Sequence, residues 1–201
     1  MSFQLIAITN RALCPEPLAA RVAALCDAGI DRVIVREKDL TERAYEALLH
    51  EILDTVAPEQ RELITVNTFT DVAQRMGIAS VQLSFPQLHA HPAFTHEFSE
   101  VGVSVHGVAE AREAQVYGAD FLLAGHIFPT DCKAGLAPRG LDFLREICDA
   151  TGIAVYGIGG VDEETVAHVK EAGAAGACLM SGLMTCDDVS ATIQRLRRAI
   201  A

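Results

Sequence analysis

Residues 153–182 read IAVYGIGGVDEETVAHVKEAGAAGACLMSG, and this stretch decides the fold. It begins with an apolar run over 153–158, continues through a helical pattern over 162–172, and ends in a second apolar run over 176–180. Short runs that are apolar throughout indicate strands covered on both faces, as in parallel sheets. The stretch therefore predicts a strand–helix–strand unit whose two strands run parallel.

The same unit recurs along the whole chain. Apolar runs predict eight strands, at 4–9, 31–36, 63–67, 79–83, 101–105, 121–125, 153–158 and 176–180. Helical patterns lie at 15–28, 41–56, 71–76, 108–117, 141–150, 162–172 and 189–200, and a loop with a short helix is expected over 84–100. Such alternation produces a doubly wound sheet or a closed barrel. Eight repeats favour an α/β fold of the (β/α)₈ TIM barrel type, with residues 1–201 as a single domain.

Composition argues against several classes of function. The chain has 201 residues and a formal charge of −11, from 16 Lys and Arg against 27 Asp and Glu. An acidic surface repels phosphate backbones, so neither nucleic acid nor an anionic membrane is an expected partner. The opening MSFQLIAITN lacks the features of a signal peptide, and no apolar run reaches the roughly 18 residues of a membrane span. Six cysteines without a CxxC pair indicate reduced thiols and a cytoplasmic protein without structural zinc.

Polar residues collect where the predicted strands end, which is where active sites of this barrel lie. Because strand side chains alternate between faces, Arg36 and Lys38 are expected to point to the same side. The same reasoning brings further candidates to the barrel mouth, namely Asn67, Gln82, Ser104, His106 and His126. Structural alternatives stay open for each: Arg36 and Lys38 could pair with Glu37 and Asp39. The others could cap a helix, brace a loop or hydrogen-bond within the fold.

A phosphate site is predicted from the last two strand ends. Strand seven leads into Gly159 and Gly160, and strand eight leads into Ser181 and Gly182. Glycine lets the backbone approach an anion closely, and free N–H groups at helix starts attract it. The loops after strands seven and eight commonly hold phosphate in this barrel. Plain turn glycines are the structural alternative.

One segment carries a resemblance to a known family. Residues 125–136 read GHIFPTDCKAGL and are followed by Arg139-Gly140. This string is similar to the TenI-like thiazole tautomerases, which share a family with thiamine phosphate synthase. Further matching segments are LIAITN at 5–10, REKD at 36–39, VGVSVH at 101–106, GAD at 118–120, IGGV at 158–161 and MSG at 180–182. The resemblance covers nearly the whole chain.

The sequence departs from the synthase pattern at four places. Synthases more typically have proline at the position of His126 and glutamine at that of Ile34. The resemblance places metal-binding aspartates where this chain has Thr68 and, at or near the second position, Gln87. Magnesium prefers carboxylate and phosphate oxygens, so these replacements leave a magnesium ion without an evident protein ligand. We therefore expect the tautomerase activity and no cofactor.

The resemblance implies an isomerase of thiamine biosynthesis. Its substrate is a carboxylated thiazole phosphate with an exocyclic double bond, which becomes aromatic when one proton moves between two carbons. His126 is expected to move that proton, since histidine takes up and releases protons near neutral pH. Arg36, Lys38 or Lys133 would face the carboxylate or developing negative charge. The remaining substrate contacts are expected from Asn67, Gln82, Ser104, His106 and Thr130.

Three other functions remain open at this point. The first is thiamine phosphate synthase, a transferase that couples pyrimidine pyrophosphate with thiazole phosphate. The second is a non-catalytic regulatory protein that binds a thiamine precursor. The third is an isomerase or epimerase of sugar phosphates, because this barrel supports many chemistries. Oligomeric state is open too, with a homodimer among the alternatives.

Overall fold

A computed structural model describes residues 2–130, 133 and 135–201. Its centre is a closed barrel of eight parallel strands in chain order, which confirms the predicted TIM barrel. The strands are β1 Gln4–Ile8, β2 Arg32–Val35, β3 Ile64–Asn67, β4 Ser80–Ser84, β5 Glu100–Val105, β6 Phe121–Gly125, β7 Ala154–Ile158 and β8 Gly176–Leu179. Each lies within a few residues of its predicted position.

Helices surround the barrel and bury its outer face. They are α1 Leu18–Asp27, α2 Glu42–Thr55, α3 Thr70–Met76, α4 Phe85–Ala90, α5 Phe94–Glu97, α6 Val108–Val116, α7 Gly140–Ala150, α8 Val166–Glu171, α9 Ser181–Met184 and α10 Val189–Ala199, with 3₁₀ turns at Arg11–Leu13 and Pro58–Leu63. The predicted loop over 84–100 contains two short helices instead of one. The first is capped by Ser84, whose N–H donates to Gln87 Oε1 at 3.0 Å. Within the described residues, no helix is both long and apolar enough to span a membrane.

The barrel interior is closed at the end where the strands begin. The Nη1 group of Arg32 donates to Thr65 Oγ1 at 2.9 Å, to Ser80 Oγ at 2.8 Å and to Glu100 Oε2 at 2.6 Å. The same guanidinium lies 4.9 Å from the centroid of the Phe121 ring. We call Arg32, Thr65, Ser80 and Glu100 the barrel floor. An apolar layer that includes Ile6, Ile34 and Leu123 also fills the interior.

Tyr45 ties helix α2 to two strands. Its hydroxyl donates to the Val35 carbonyl at 2.6 Å and accepts from the Asn67 N–H at 3.3 Å. The side chain is fully buried, and this burial raises the pKa of Tyr45. The hydroxyl thus satisfies two backbone groups directly beside the strand ends that lead to the mouth.

Replacing Tyr45 with Phe should lower the free energy of unfolding by about 1–3 kcal/mol, because a buried N–H loses a partner and a buried C=O loses a donor. Denaturant titration followed by circular dichroism measures the change. Tyr117→Phe is the matched control: its hydroxyl binds Glu113 and His89 at the surface, so its cost should stay near ~0.5 kcal/mol. Equal costs for the two variants would contradict the assigned role of Tyr45.

Candidate active site

Three polar side chains form a hydrogen-bonded chain at the barrel mouth. Asn67, Gln82 and Ser104 come from the ends of neighbouring strands β3, β4 and β5. Asn67 Nδ2 donates to Gln82 Oε1 at 2.6 Å, and Gln82 Nε2 donates to Ser104 Oγ at 2.9 Å. Asn67 does not cap α3. The N-cap residue of this helix is Phe69, and no side chain forms a capping hydrogen bond at the helix start. The structure therefore brings these three predicted residues together in one polar wall.

Three cations lie in segments that follow strand ends. Arg36 and Lys38 follow β2, and Lys133 lies in the loop after β6. Burial lowers the pKa of Lys38, and the positive charges of Arg36 and Lys133 lower it further. We call Arg36, Lys38 and Lys133 the cation cluster. The alternative in which Glu37 and Asp39 neutralise Arg36 and Lys38 is wrong, because both carboxylates bind Arg11 instead.

His126 lines a cavity at the mouth. It is 8% exposed, and its Nε2 lies 3.4 Å from the Leu136 carbonyl oxygen. His106 reaches the same cavity and also braces its own loop, because its N–H donates to Glu110 Oε2 at 2.7 Å. The half-buried Thr130 accepts a bond from the Lys133 N–H through its carbonyl, at 3.0 Å. The cavity measures about 270 Å³ and is lined by His106, Gly125, His126, Lys133, Leu136, Ala137 and Arg139.

Arg139 is a lining residue to which the sequence reasoning assigned no role. Its N–H donates to the His126 carbonyl at 2.9 Å, and the Gly140 N–H donates to the Ile127 carbonyl at 3.0 Å. The signal that could have indicated its role is the Arg139-Gly140 pair, which follows the GHIFPTDCKAGL string of residues 125–136. These bonds fold the end of the loop back along its start and bring a further cation to the cavity.

Gly159 and Gly160 are required by packing. Their φ angles are +97° and +68°. A Cβ on Gly159 would lie 2.4 Å from the Cβ of His126, and one on Gly160 would lie 2.4 Å from the Pro129 carbonyl oxygen. The two loops run side by side here, since the Phe128 N–H donates to the Gly159 carbonyl at 2.9 Å. The glycine pair therefore positions His126, a role that the sequence pattern did not indicate.

Free backbone donors remain next to these loops. The N–H groups of Gly160, Val161, Ser181 and Gly182 donate to no group in the described part of the chain. A Cβ on Gly182 would meet no atom within 4 Å, so space is open above it. Backbone donors that face open space are suited to bind an anion.

A larger groove lies elsewhere, between α1 and α10. Its volume is about 720 Å³, and its lining includes Glu16, Asp27, Asp187 and Asp188. The cation in this groove, Arg21, is already bound to Glu16 Oε2 at 3.0 Å and to the Cys186 carbonyl at 2.9 Å. An acidic groove repels phosphate groups, so the barrel mouth is the better candidate despite its smaller cavity.

Comparison with known proteins identifies the family. The family model described as thiamine monophosphate synthase matches residues 5–183. A thiamine-phosphate synthase of Pyrococcus abyssi is 33% identical over 201 residues, which are 98% of this chain and 94% of that protein. One from Syntrophomonas wolfei is 30% identical over 98% of this chain and 95% of that protein. A solved structure of thiamine phosphate pyrophosphorylase from Pyrococcus furiosus has a TM-score of 0.82 and 28% identity, over 98% of this chain and 95% of that one.

These matches correct one expectation. The predicted isomerase, a thiazole tautomerase, is wrong: relatives that are 30–34% identical over nearly the full length are named thiamine-phosphate synthase, which is a transferase. The assignment rested on the histidine in one loop string, whereas the relatives match the chain from end to end. The chain belongs to the thiamine monophosphate synthase family.

Proposed function

We propose that this protein is a thiamine-phosphate synthase, which couples pyrimidine pyrophosphate with thiazole phosphate and releases pyrophosphate. The similarity to relatives named thiamine-phosphate synthase over 98% of the chain is the observation that carries the proposal. Two phosphorylated substrates need two places for negative charge. The chain supplies Arg36 and Lys38 after β2, Lys133 in the wall of the cavity, and N–H groups in the last two loops that donate to no group in the described residues. Relatives with this name support the same reaction.

The coupling step makes the cation cluster useful. A bond forms between the thiazole nitrogen and a pyrimidine-bearing carbon, while the bond from that carbon to the pyrophosphate oxygen breaks. The electron pair leaves with the pyrophosphate, so negative charge on its oxygens grows in the transition state. Fixed positive charges next to those oxygens stabilise the transition state more than the bound substrate. We assign Arg36, Lys38 and Lys133 to this role.

The other predicted residues fit the remaining parts of the substrates. We assign the phosphate of the thiazole to the loop groups of Gly159, Gly160, Ser181 and Gly182. Asn67, Gln82 and Ser104 provide amide and hydroxyl groups for a ring with several nitrogens. We assign further substrate contacts to Thr130 and to His106 and His126, which line the cavity. No proton has to leave a carbon in this coupling, so His126 acts as a contact residue in the proposed reaction.

The residues at the mouth do not fit a carboxylate-held magnesium ion. Thr68 stands where the synthase pattern has one aspartate, and its hydroxyl donates to Asn67 Oδ1 at 3.1 Å. Gln87 stands at or near the other position, and its Oε1 accepts from the N–H and Oγ of Ser84. Among the described residues, no group of three or more His, Cys, Asp and Glu side chains could hold a metal ion. The proposed charge stabilisation is therefore assigned to the protein's own cations.

Incubating the purified protein with pyrimidine pyrophosphate and thiazole phosphate tests the proposal. We expect release of pyrophosphate, measured by a coupled phosphate assay, in step with formation of thiamine phosphate, measured by mass spectrometry. The reaction is run with Mg²⁺ and with a chelator, each beside a protein-free control. Binding of both precursors without turnover under either condition would overturn the synthase and support the non-catalytic regulatory alternative.

A further inference from the structure

The turn after β2 places its four charged residues in an alternating order. Arg36, Glu37, Lys38 and Asp39 are consecutive, yet among the described residues neither carboxylate forms an ion pair with Arg36 or Lys38. Glu37 is 3% exposed, whereas Lys38 and Asp39 lie at the surface. A cation outside the turn pairs with both carboxylates instead.

Arg11 holds both carboxylates. Its Nη1 donates to Asp39 Oδ1 at 2.7 Å and to Glu37 Oε2 at 3.0 Å, and its Nη2 donates to Asp39 Oδ2 at 2.5 Å. Its backbone N–H donates to Glu37 Oε1 at 3.0 Å. The guanidinium fork suits this because it binds one carboxylate through two nitrogens and still reaches a second. The hydrogen bond from Arg11 lowers the pKa of Asp39 and keeps it charged.

Thr9 connects the same carboxylate to the backbone of the turn. Its Oγ1 donates to Glu37 Oε1 at 2.7 Å and accepts from the Arg36 N–H at 2.8 Å. Both Thr9 and Glu37 are buried, so this part of the turn is fixed from the β1 side. The position of Arg36 is therefore set by the same network that occupies Glu37.

We propose that Arg11 is a positioning residue for the anion site: by binding Glu37 and Asp39 together, it keeps both carboxylates from neutralising Arg36 and Lys38. The cation cluster stays electrostatically available for an anionic ligand at the mouth. That this ligand is pyrophosphate rests on the proposed function. The positioning of the carboxylates rests on the contacts above and is tested separately.

The first test needs no ligand. The chain has three lysines, Lys38, Lys133 and Lys170, so their side-chain NMR signals can be assigned by substitution and titrated with pH. In Arg11→Met, a carboxylate is free to pair with Lys38, so the pKa of Lys38 should rise while that of the distant Lys170 stays constant. Arg11→Lys retains the positive charge but not the two-nitrogen guanidinium, so the pKa of Lys38 should rise by an intermediate amount. This variant also provides the measurement if Arg11→Met folds poorly. An unchanged pKa of Lys38 in both variants would overturn the inference.

The second test measures binding of inorganic pyrophosphate by calorimetry. Arg11→Met should bind on the order of tenfold more weakly, because a freed carboxylate now faces the ligand. The triple variant Arg11→Met/Glu37→Gln/Asp39→Asn should recover wild-type affinity to within about twofold, since neither freed side chain carries charge. A merely structural role for Arg11 predicts no such recovery, and that result would overturn the inference.

A matched control separates this effect from the general loss of an ion pair. Arg75 also binds two carboxylates, Glu42 at 2.6 Å and Glu46 at 2.7 Å, on the outer helices. Arg75→Met should therefore leave pyrophosphate affinity and the pKa of Lys38 unchanged. A wild-type protein that binds no pyrophosphate would overturn the proposed function, whereas the lysine titration would still decide the role of Arg11.

Discussion

The Lys38→Met variant should lose about 100-fold in kcat/KM for coupling and most of its affinity for inorganic pyrophosphate. Lys38 is the member of the cation cluster on which Arg36 and Lys133 both act. Removing one fixed charge from beside a leaving group costs about 10²–10³-fold in rate, because no solvent dipole can replace a charge already in place. Steady-state kinetics and calorimetry measure the two losses. Arg145→Met removes a surface charge that pairs with Asp142 and should change neither value.

The same residue predicts a pH dependence. Because the pKa of Lys38 is lowered, the free protein loses this proton at a lower pH than an ordinary lysine would. A bound anion favours the charged form, so binding should take up a proton and affinity should fall as pH rises through the lowered pKa. Calorimetry in two buffers with different ionisation enthalpies detects that proton. The Lys38→Arg variant should bind with little pH dependence over this range, since arginine stays charged. Equal pH profiles for wild type and Lys38→Arg would contradict the assignment.

The second large effect concerns glycine. Gly159→Ala should lower the free energy of unfolding by about 2–5 kcal/mol, because the new methyl group meets the Cβ of His126 while the backbone keeps a positive φ. Two further substitutions separate these causes. Gly29 has φ +83° and no neighbour within 4 Å, so Gly29→Ala should cost only about 1 kcal/mol of backbone strain.

Gly182→Ala completes the series. This position has neither a positive φ nor a neighbouring atom within 4 Å, so its stability should change by no more than ~0.5 kcal/mol. The added methyl group would occupy the space assigned to phosphate, and affinity for thiazole phosphate should fall about tenfold. Thermal unfolding and calorimetry measure the two quantities. A stable Gly159→Ala, or a Gly182→Ala that binds thiazole phosphate normally, would refute the corresponding role.

The sequence predicted the barrel and much of its mouth because both follow from periodicity. Continuous apolar runs located all eight strands, and the two-residue alternation placed Asn67, Gln82 and Ser104 at one end of the barrel. The partner of Glu37 and Asp39 was out of reach, since Arg11 lies 26 residues or more away and contacts them only after β1 and β2 pair. The packing role of Gly159 depends on a loop from another strand, which no local pattern encodes.

The activity was harder to infer than the fold. A histidine in one loop and two missing aspartates favoured the tautomerase over the synthase in the sequence reasoning. Such a choice depends on a few side chains, whereas the relatives are similar over nearly the full length. The structure adds what the motif lacked: Arg11 binds both acids of residues 36–39, Glu37 and Asp39, so these do not pair with Arg36 and Lys38.

The barrel floor has a kinetic consequence. Arg32, Thr65, Ser80 and Glu100 close one end of the barrel, so in the proposed reaction both substrates and both products should pass through the mouth. We expect one substrate of the proposed reaction to bind deeper than the other, and it has to bind first because the second substrate then covers it. Steady-state kinetics should therefore show ordered binding of the two substrates. An excess of the substrate that binds second should inhibit the reaction, because it occupies the barrel mouth before the first substrate has bound.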